Sequence, residues 1–386
     1  MDKIKKLGLL FNELADELNI TPTMLEKAET AYSALGEHIQ SANKDWDVSI
    51  YPQGSFELGT VIRPVNDEEE YDVDLVVLVK SPVFDPKQLR EKIKAILLSH
   101  GRYEKKLEDK KPCIRIQYAE SAQFHMDIAC AKDISSGDDT IEIARRNGST
   151  MYFYEISNPK GYINWFKRTM RYDTLKRSGI YSKANTEVQD LTLSRMRTPL
   201  QKAIQILKRH RDVYFSQKPT SENKPASIII TTLCAKAYED TWGSFEKDNV
   251  YLTILNMLQK FPQYLSRTAN GYYLENPSRP QENFLKKWNE DGNLVAAFIE
   301  WIERAQEDII TCPEAFIEDD PKTLRERLHL SFGQHVVSRT FERYGTKFAA
   351  LANDGKLLFD QKNGNIVSNP SQGTSYDRHT FFGGDS

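Results

Sequence analysis

The sequence predicts an α+β protein of two lobes, a mixed sheet with helices followed by a helical C-terminal lobe. Three observations carry this expectation. The run Asp72-Val73-Asp74-Leu75-Val76-Val77-Leu78-Val79 has the composition of a strand with an acidic head. Two shorter runs, Cys113 to Tyr118 and Phe124 to Ala129, alternate apolar and polar residues with the period of a strand. From about Met196 onward helical periodicity takes over, and 386 residues suit about two domains. The expected division is a first lobe over 1–195, a helical lobe over 196–362 and a flexible tail over 363–386.

Residues 4–45 read as helical. Leu7, Leu10, Phe11 and Leu14 share one helix face, and Thr21-Pro22 starts a second helix that runs through Ile39. Asp47 to Tyr51 reads as a short strand leading into the turn Gly54-Ser55. After the acidic strand, Pro86 opens an amphipathic helix with Leu89, Ile93, Ile96 and Leu97 that ends near Gly101. Ile141–Ala144 and Met151–Tyr154 are strand-like, and Tyr162 to Phe166 reads as a helix start. Leu200, Ala203, Ile204 and Leu207 form an apolar helical stripe opposite Gln201, Gln205, Lys208 and Asp212. Ala226 to Tyr238 fits a buried helix or, through its β-branched residues at 228–232, a strand. Further helices are expected at 250–260, 283–290, 294–309 and 321–343, and no internal repeat is evident.

Composition narrows the function classes. Fifty-two Lys and Arg against 55 Asp and Glu leave a formal charge of −3, so no global basic field marks tight nucleic-acid binding. The four cysteines are scattered, form no CxxC pair and have no ligand-spaced histidines beside them, which predicts reduced thiols and no structural zinc. No run of about 20 apolar residues occurs, so a cytoplasmic protein without membrane contact is expected.

The stretch from Gln53 to Val79 holds the chemistry. In a strand Asp72 and Asp74 project from one face while Val73 points to the other. Two adjacent carboxylates repel unless a cation lies between them, and hard oxygen ligands suit Mg²⁺. Gly54 allows close backbone approach to a phosphate, and the Ser55 hydroxyl can donate to one. In the later strand Phe124, Met126 and Ile128 face one way and His125 and Asp127 the other, so Asp127 joins the pair if the strands are neighbours. The plain alternatives are an ordinary Gly-Ser turn and a solvated acidic loop continuing Asp67 to Glu70.

These residues carry a resemblance. GSFELGT, YDVD and HMDIA resemble the core of polymerase-beta-like nucleotidyltransferases. QGSFELGT at 53–60 together with KRHRD at 208–212 and KPAS at 224–227 is similar to bacterial CD-NTases, the cyclic-oligonucleotide synthases related to cyclic GMP-AMP synthase. The resemblance spans roughly residues 50–235. It implies a catalytic lobe facing a helical lobe, with nucleoside triphosphates, ATP expected among them, in the cleft between.

On this reading Asp72, Asp74 and Asp127 are catalytic and hold two Mg²⁺ ions, for which Mn²⁺ can substitute. Gln53, Gly54, Ser55, Lys208 and Ser227 contact nucleotide. Lys208 reads equally as half of a surface ion pair with Asp212, and Ser227 equally as a helix N-cap. The basic run at 167–183 reads as a solvated face or as a contact for phosphates or an activating ligand. The activity implied is pyrophosphate-releasing synthesis of a cyclic di- or trinucleotide messenger in antiphage signalling. A linear nucleotidyltransferase acting on RNA or protein, and a nucleotide-binding regulator without catalysis, are the competing expectations. The lack of a Cys/His cluster argues against zinc-dependent DNA sensing. Gly383-Gly384 in the tail is similar to ends handled by ubiquitin-transfer-like partners, or is a simple disordered terminus.

Overall fold

A computed structural model describes residues 2–42, 46–65, 70–118, 124–134, 137–177, 197–241, 249–269, 271–353, 358–359, 366–367 and 374–375. Helices α1 (Lys3–Glu17) and α2 (Pro22–Ala42) come first, then strand β1 (Asp47–Gln53) and the single-turn helix α3 (Gly54–Glu57). The acidic strand is β2 (Tyr71–Ser81), followed by α4 (Pro86–Ser99). Asp85 caps α4, accepting from the Gln88 N–H while the Gln88 side chain reaches back, and Pro86 occupies the first turn. Strands β3 (Leu107–Asp109), β4 (Ile114–Gln117), β5 (Phe124–Asp133), β6 (Ile141–Asn147) and β7 (Met151–Ser157) complete the sheet.

The sheet runs β1-β2-β5-β4-β3, with β6 on the far end of β5 and β7 outside β6. Only β2 and β5 pair in parallel, so the sheet is mixed as the sequence predicts. Odd-numbered β2 residues Val73, Leu75 and Val77 and even-numbered β5 residues Met126, Ile128 and Cys130 pack against α2 and α4 in one core. The opposite face carries Asp72 and Asp74, then Val76 and Leu78, which pack with Ala129, Ala131, Ile141 and Ile143. Both faces of the central strands are therefore covered beyond the acidic head, which is why 75–79 is uninterruptedly apolar.

The second core is helical. It gathers α5 (Pro159–Arg177), α6 (Pro199–Ser216), α7 (Ser227–Asp240), α8 (Val250–Tyr264) and α9 (Gly292–Gln306). A π-turn over Glu307–Thr311 leads into α10 (Cys312–Phe316), α11 (Pro321–Phe332) and α12 (Gln334–Asn353). Leu7, Phe11 and Leu14 of α1 and Tyr162 and Phe166 of α5 are buried here, so the expected first lobe over 1–195 contributes to both cores.

Several local expectations need correction. The segment 283–290 is the end of a strand, Arg279–Asn283, and a 3-10 turn at Lys286–Asn289 that buries Trp288. The span 321–343 is two helices, because Gly333 takes φ +92° and breaks the chain between them. Of the two readings of 226–238 the buried helix is the one observed, in α7, where burial on nearly every side overrides the strand propensity of 228–232. Of the tail, Ile366–Val367 and Thr374–Ser375 pair with Leu358–Phe359; Gly383-Gly384 lies outside the described residues, as do 178–183 of the basic run.

Candidate active site

Strand register assembles the acidic centre. In the parallel β2/β5 pair Asp72 lies opposite His125 and Asp74 opposite Asp127, and in the antiparallel β4/β5 pair Arg115 lies opposite Asp127. Ligand atoms of Asp72, His125 and Asp127 fall within 4.8 Å of one another. Gln53, the last residue of β1, pairs with Asp74, and the chain then turns sharply at Gly54, whose φ is +63°. A Cβ at that position would overlap the Asp74 carboxylate. Gly54 thus permits both the turn and the seat of Asp74, while the Gln53 side chain makes no capping bond to α3.

The charges explain how three acids tolerate this proximity. Burial, then repulsion from Asp72 and Asp127, pushes the Asp74 carboxyl up to about 7. Burial also opposes ionisation of Asp72, but the hydrogen bond and charge of His125, helped by Arg115 and Lys208, bring its carboxyl below the ordinary value. His125 stands between two acids, with Nε2 2.5 Å from Asp72 Oδ1 and Nδ1 3.0 Å from Glu70 Oε2. Burial opposes its protonation, and these partners raise its pKa nonetheless. Arg115 donates to both oxygens of Asp127, Nε at 2.7 Å and Nη2 at 2.8 Å, with Nη2 also 4.0 Å from Asp72. Two carboxylates and an imidazole whose ligand atoms converge, with the reluctantly ionising Asp74 carboxyl beside them, are a donor set that fits a divalent cation such as Mg²⁺ or Mn²⁺.

Helix α6 brings the cationic side. Thr198 and Gln201 cap it reciprocally, and its supposed polar face is in fact a seam. Gln201 Nε2 donates to Leu58 O at 2.9 Å, Gln205 Nε2 to Val61 O at 2.8 Å, and Lys208 Nζ to Thr60 O at 3.0 Å. Positions i, i+4 and i+7 thereby satisfy three carbonyls of the loop that follows α3. Lys208 is 5% exposed, so the reading of an exposed ion pair with Asp212 is incorrect. Burial and the Arg211 charge depress the Lys208 pKa to about 8, against the pull of Asp212, Asp72 and Asp74. Asp212 instead accepts from Arg211 and pairs with Lys224 at 3.2 Å.

Ser227 is the first residue of α7, whose cap is Ala226, so the N-cap reading of Ser227 is also incorrect. Its Oγ accepts from Arg211 Nη1 at 3.0 Å, and Arg211 also donates to Pro225 O. Ser55, Asp72, Arg115 and His125 on one side and Lys208, Arg211, Asp212 and Ser227 on the other line one cleft of about 780 Å³. Of the residues singled out from sequence, Ser55, Asp72, Lys208 and Ser227 line the cleft directly, and Asp74 and Asp127 stand beside Asp72 in the sheet. Sequence reasoning does not find Arg115, Arg211 or Glu70. Arg211 lies within the KRHRD motif, whereas the pairing of Arg115 with Asp127 depends on strand register. Lys167 of the basic run pairs with Glu57 at 2.5 Å.

A mixed sheet that brings three aspartates together beside a cleft facing a helical lobe is the arrangement of a polymerase-beta-like nucleotidyltransferase core. Comparisons with known proteins narrow the class. The family described as "Cyclic GMP-AMP synthase DncV-like, nucleotidyltransferase domain" matches residues 39–130. A c-di-GMP synthase of Roseivirga ehrenbergii is 29% identical over 298 residues, 75% of each chain. The cyclic dinucleotide synthase CdnG of Bradyrhizobium diazoefficiens is 21% identical over 88% of this chain and 84% of its own. The structure of that CD-NTase in complex with GTP superposes with a TM-score of 0.68 at 20% identity, over 88% of this chain and 99% of that one. Vibrio cholerae DncV in complex with the linear intermediate 5′ pppA(3′,5′)pG gives 0.55 at 17% identity, over 86% and 88%. Over most of its length the chain is similar to cyclic dinucleotide synthases of the CD-NTase kind.

Proposed function

We propose that this protein is a CD-NTase that joins nucleoside triphosphates, GTP among them, into a cyclic dinucleotide, releasing pyrophosphate at each of two transfers. The observation that carries the reading is the meeting of Asp72, Asp74 and Asp127 in adjacent strand registers, facing Lys208 across one cleft. Asp72 and Asp74 would hold one divalent ion, and Asp127 would share in holding a second. Two Mg²⁺ ions, or Mn²⁺ in their place, supply charge neutralisation on the phosphates and lower the pKa of the attacking ribose hydroxyl. The Ser55 hydroxyl donates to a phosphate oxygen, and Lys208 adds a positive charge. Ser227, fixed by Arg211, offers a hydroxyl from the helical side, to phosphate or ribose. Gly54 leaves room for Asp74, and Gln53 anchors its strand.

The hydroxyl oxygen forms its bond to the α-phosphorus as the bond to the pyrophosphate oxygen breaks, and Asp127 takes the hydroxyl proton. Repetition within the same cleft closes the ring. Similarity to a c-di-GMP synthase and to a cyclic dinucleotide synthase seen in complex with GTP supports guanine-containing substrates and a two-nucleotide ring; ATP is the further candidate, and a trinucleotide the larger ring. Production of a messenger in the cytoplasm, within antiphage signalling and with partners that act on the C-terminal tail, is the biological role that fits the family. Among the described residues no helix is long and apolar enough to cross a membrane.

The decisive test is product analysis with Mg²⁺ or Mn²⁺ and the four triphosphates, singly and in pairs. Phosphatase-resistant small products containing guanine are expected, and Asp74→Asn should release no pyrophosphate while keeping its circular dichroism. Extended RNA or nucleotide-labelled protein in place of small rings would overturn the proposal.

A further inference from the structure

We propose that Arg115 is a positioning residue that occupies the place of a divalent ion: its guanidinium holds Asp127 while the site is free of metal and yields at least one carboxylate oxygen when an ion enters. The inference rests on the reading of Asp72, Asp74 and Asp127 as ion ligands. Cross-strand pairing sets Arg115 directly opposite Asp127, and both carboxylate oxygens are engaged, at 2.7 and 2.8 Å. The same guanidinium reaches to 4.0 Å from Asp72 Oδ1, so its positive charge lies between the two carboxylates that an ion would have to bridge. The cleft wall carries Arg115 together with the more exposed Asp72, whereas Asp127, with its side chain only 15% exposed, is not among the cleft-lining residues.

Two physical consequences oppose one another. A fork-shaped, two-point hydrogen bond fixes the rotamer of Asp127, which favours catalysis. A fixed positive charge beside the site repels a dication and competes for its ligand oxygens, which weakens ion binding. His125 holds Asp72 on the other flank at 2.5 Å and is tied to Glu70, whereas Arg115 grips Asp127 and reaches toward Asp72, two of the three expected ion ligands. Removing the Arg115 charge should therefore tighten ion binding and slow turnover together. An arginine that merely supported the fold would weaken both.

The test is Mn²⁺ binding to the nucleotide-free protein, read as loss of the free-ion electron paramagnetic resonance signal, alongside pyrophosphate release. Arg115→Gln should bind Mn²⁺ about threefold to tenfold more tightly than wild type, an order-of-magnitude expectation for loss of a neighbouring like charge, with kcat reduced. Arg115→Lys keeps the charge on a single point of attachment and should fall between the two; it carries the test by itself if the glutamine variant does not fold. Affinity equal to or weaker than wild type in the folded variant overturns the proposal. Wild type binding Mn²⁺ no better than Asp127→Asn would instead overturn the ion-ligand reading, which keeps the two failures distinct.

Discussion

Lys208 shows how much the surroundings of one side chain decide. It lies seven residues beyond Gln201 on α6, 5% exposed, with its ammonium on the Thr60 carbonyl. Burial and Arg211 bring its pKa to about 8 from an ordinary 10.5. Between those two values the unfolded chain holds a proton that the folded chain has shed, so the cost of burying this charge is full below pH 8 and fades as pH rises toward 10.5. The functional consequence has the opposite sign. The charge available to a triphosphate is present below about pH 8 and lost above it. Titrating GTP into the protein between pH 7 and 9 should show affinity declining through that range. Lys208→Gln should bind more weakly and with a flatter profile, and an unchanged slope would assign the pH dependence to another group.

At the scale of elements, the turn from β1 into α3 is the most demanding point. Gly54 is both left-handed, at φ +63°, and directly beneath Asp74, whereas Gly36 in α2 has open space where a Cβ would go. The same substitution should act in opposite directions at the two sites. Gly36→Ala should stabilise by about 0.5–1 kcal/mol through helix propensity. Gly54→Ala should destabilise by about 1 kcal/mol or more from backbone strain and abolish pyrophosphate release by displacing Asp74. Thermal melts paired with the release assay check both; an active Gly54→Ala would mean that Asp74 has another rotamer in which to work.

Over the whole molecule, charge ties the first helix to the last long one. Glu13 of α1 is fully buried at its side chain and accepts from Arg343 Nε at 3.0 Å and from Lys347, both on α12. Burial would raise the Glu13 carboxyl, but these two cations hold it below its ordinary value. A depressed folded-state pKa means that the stabilisation is complete above the unfolded value and lost as pH falls through the folded one. Glu13→Ala takes the Glu13 contact from Lys347 and from Arg343, which keeps Glu17 at 3.3 Å and Asp16 at 3.8 Å, and should cost about 1–2 kcal/mol, less than the loss of a fully buried pair. Denaturant unfolding at pH 7 and at pH 4 should show the difference between variant and wild type shrinking with acid. The seam of Gln201, Gln205 and Lys208 on the loop at 58–61 joins α6 to the segment that follows α3, so it sets where the cationic and acidic walls of the cleft stand.

The sequence by itself determined the site-bearing strands and their faces. A period of two places Asp72 with Asp74 and His125 with Asp127 before any fold is known, and the motifs around them carry the family resemblance. Caps were legible where a local rule acts, as at Thr21-Pro22 and Pro86, because capping chemistry spans only three or four residues. Register was not legible: that Arg115 lies opposite Asp127, or Gln53 opposite Asp74, depends on pairing between segments separated by loops of arbitrary length. Nor could α6 be read correctly, since Gln201, Gln205 and Lys208 look like a solvated stripe until the carbonyls of Leu58, Val61 and Thr60 are brought against them. Periodicity reports which side of an element differs from the other. Only the tertiary structure decides what that side meets, and hence which polar groups are dry, paired and shifted in their chemistry.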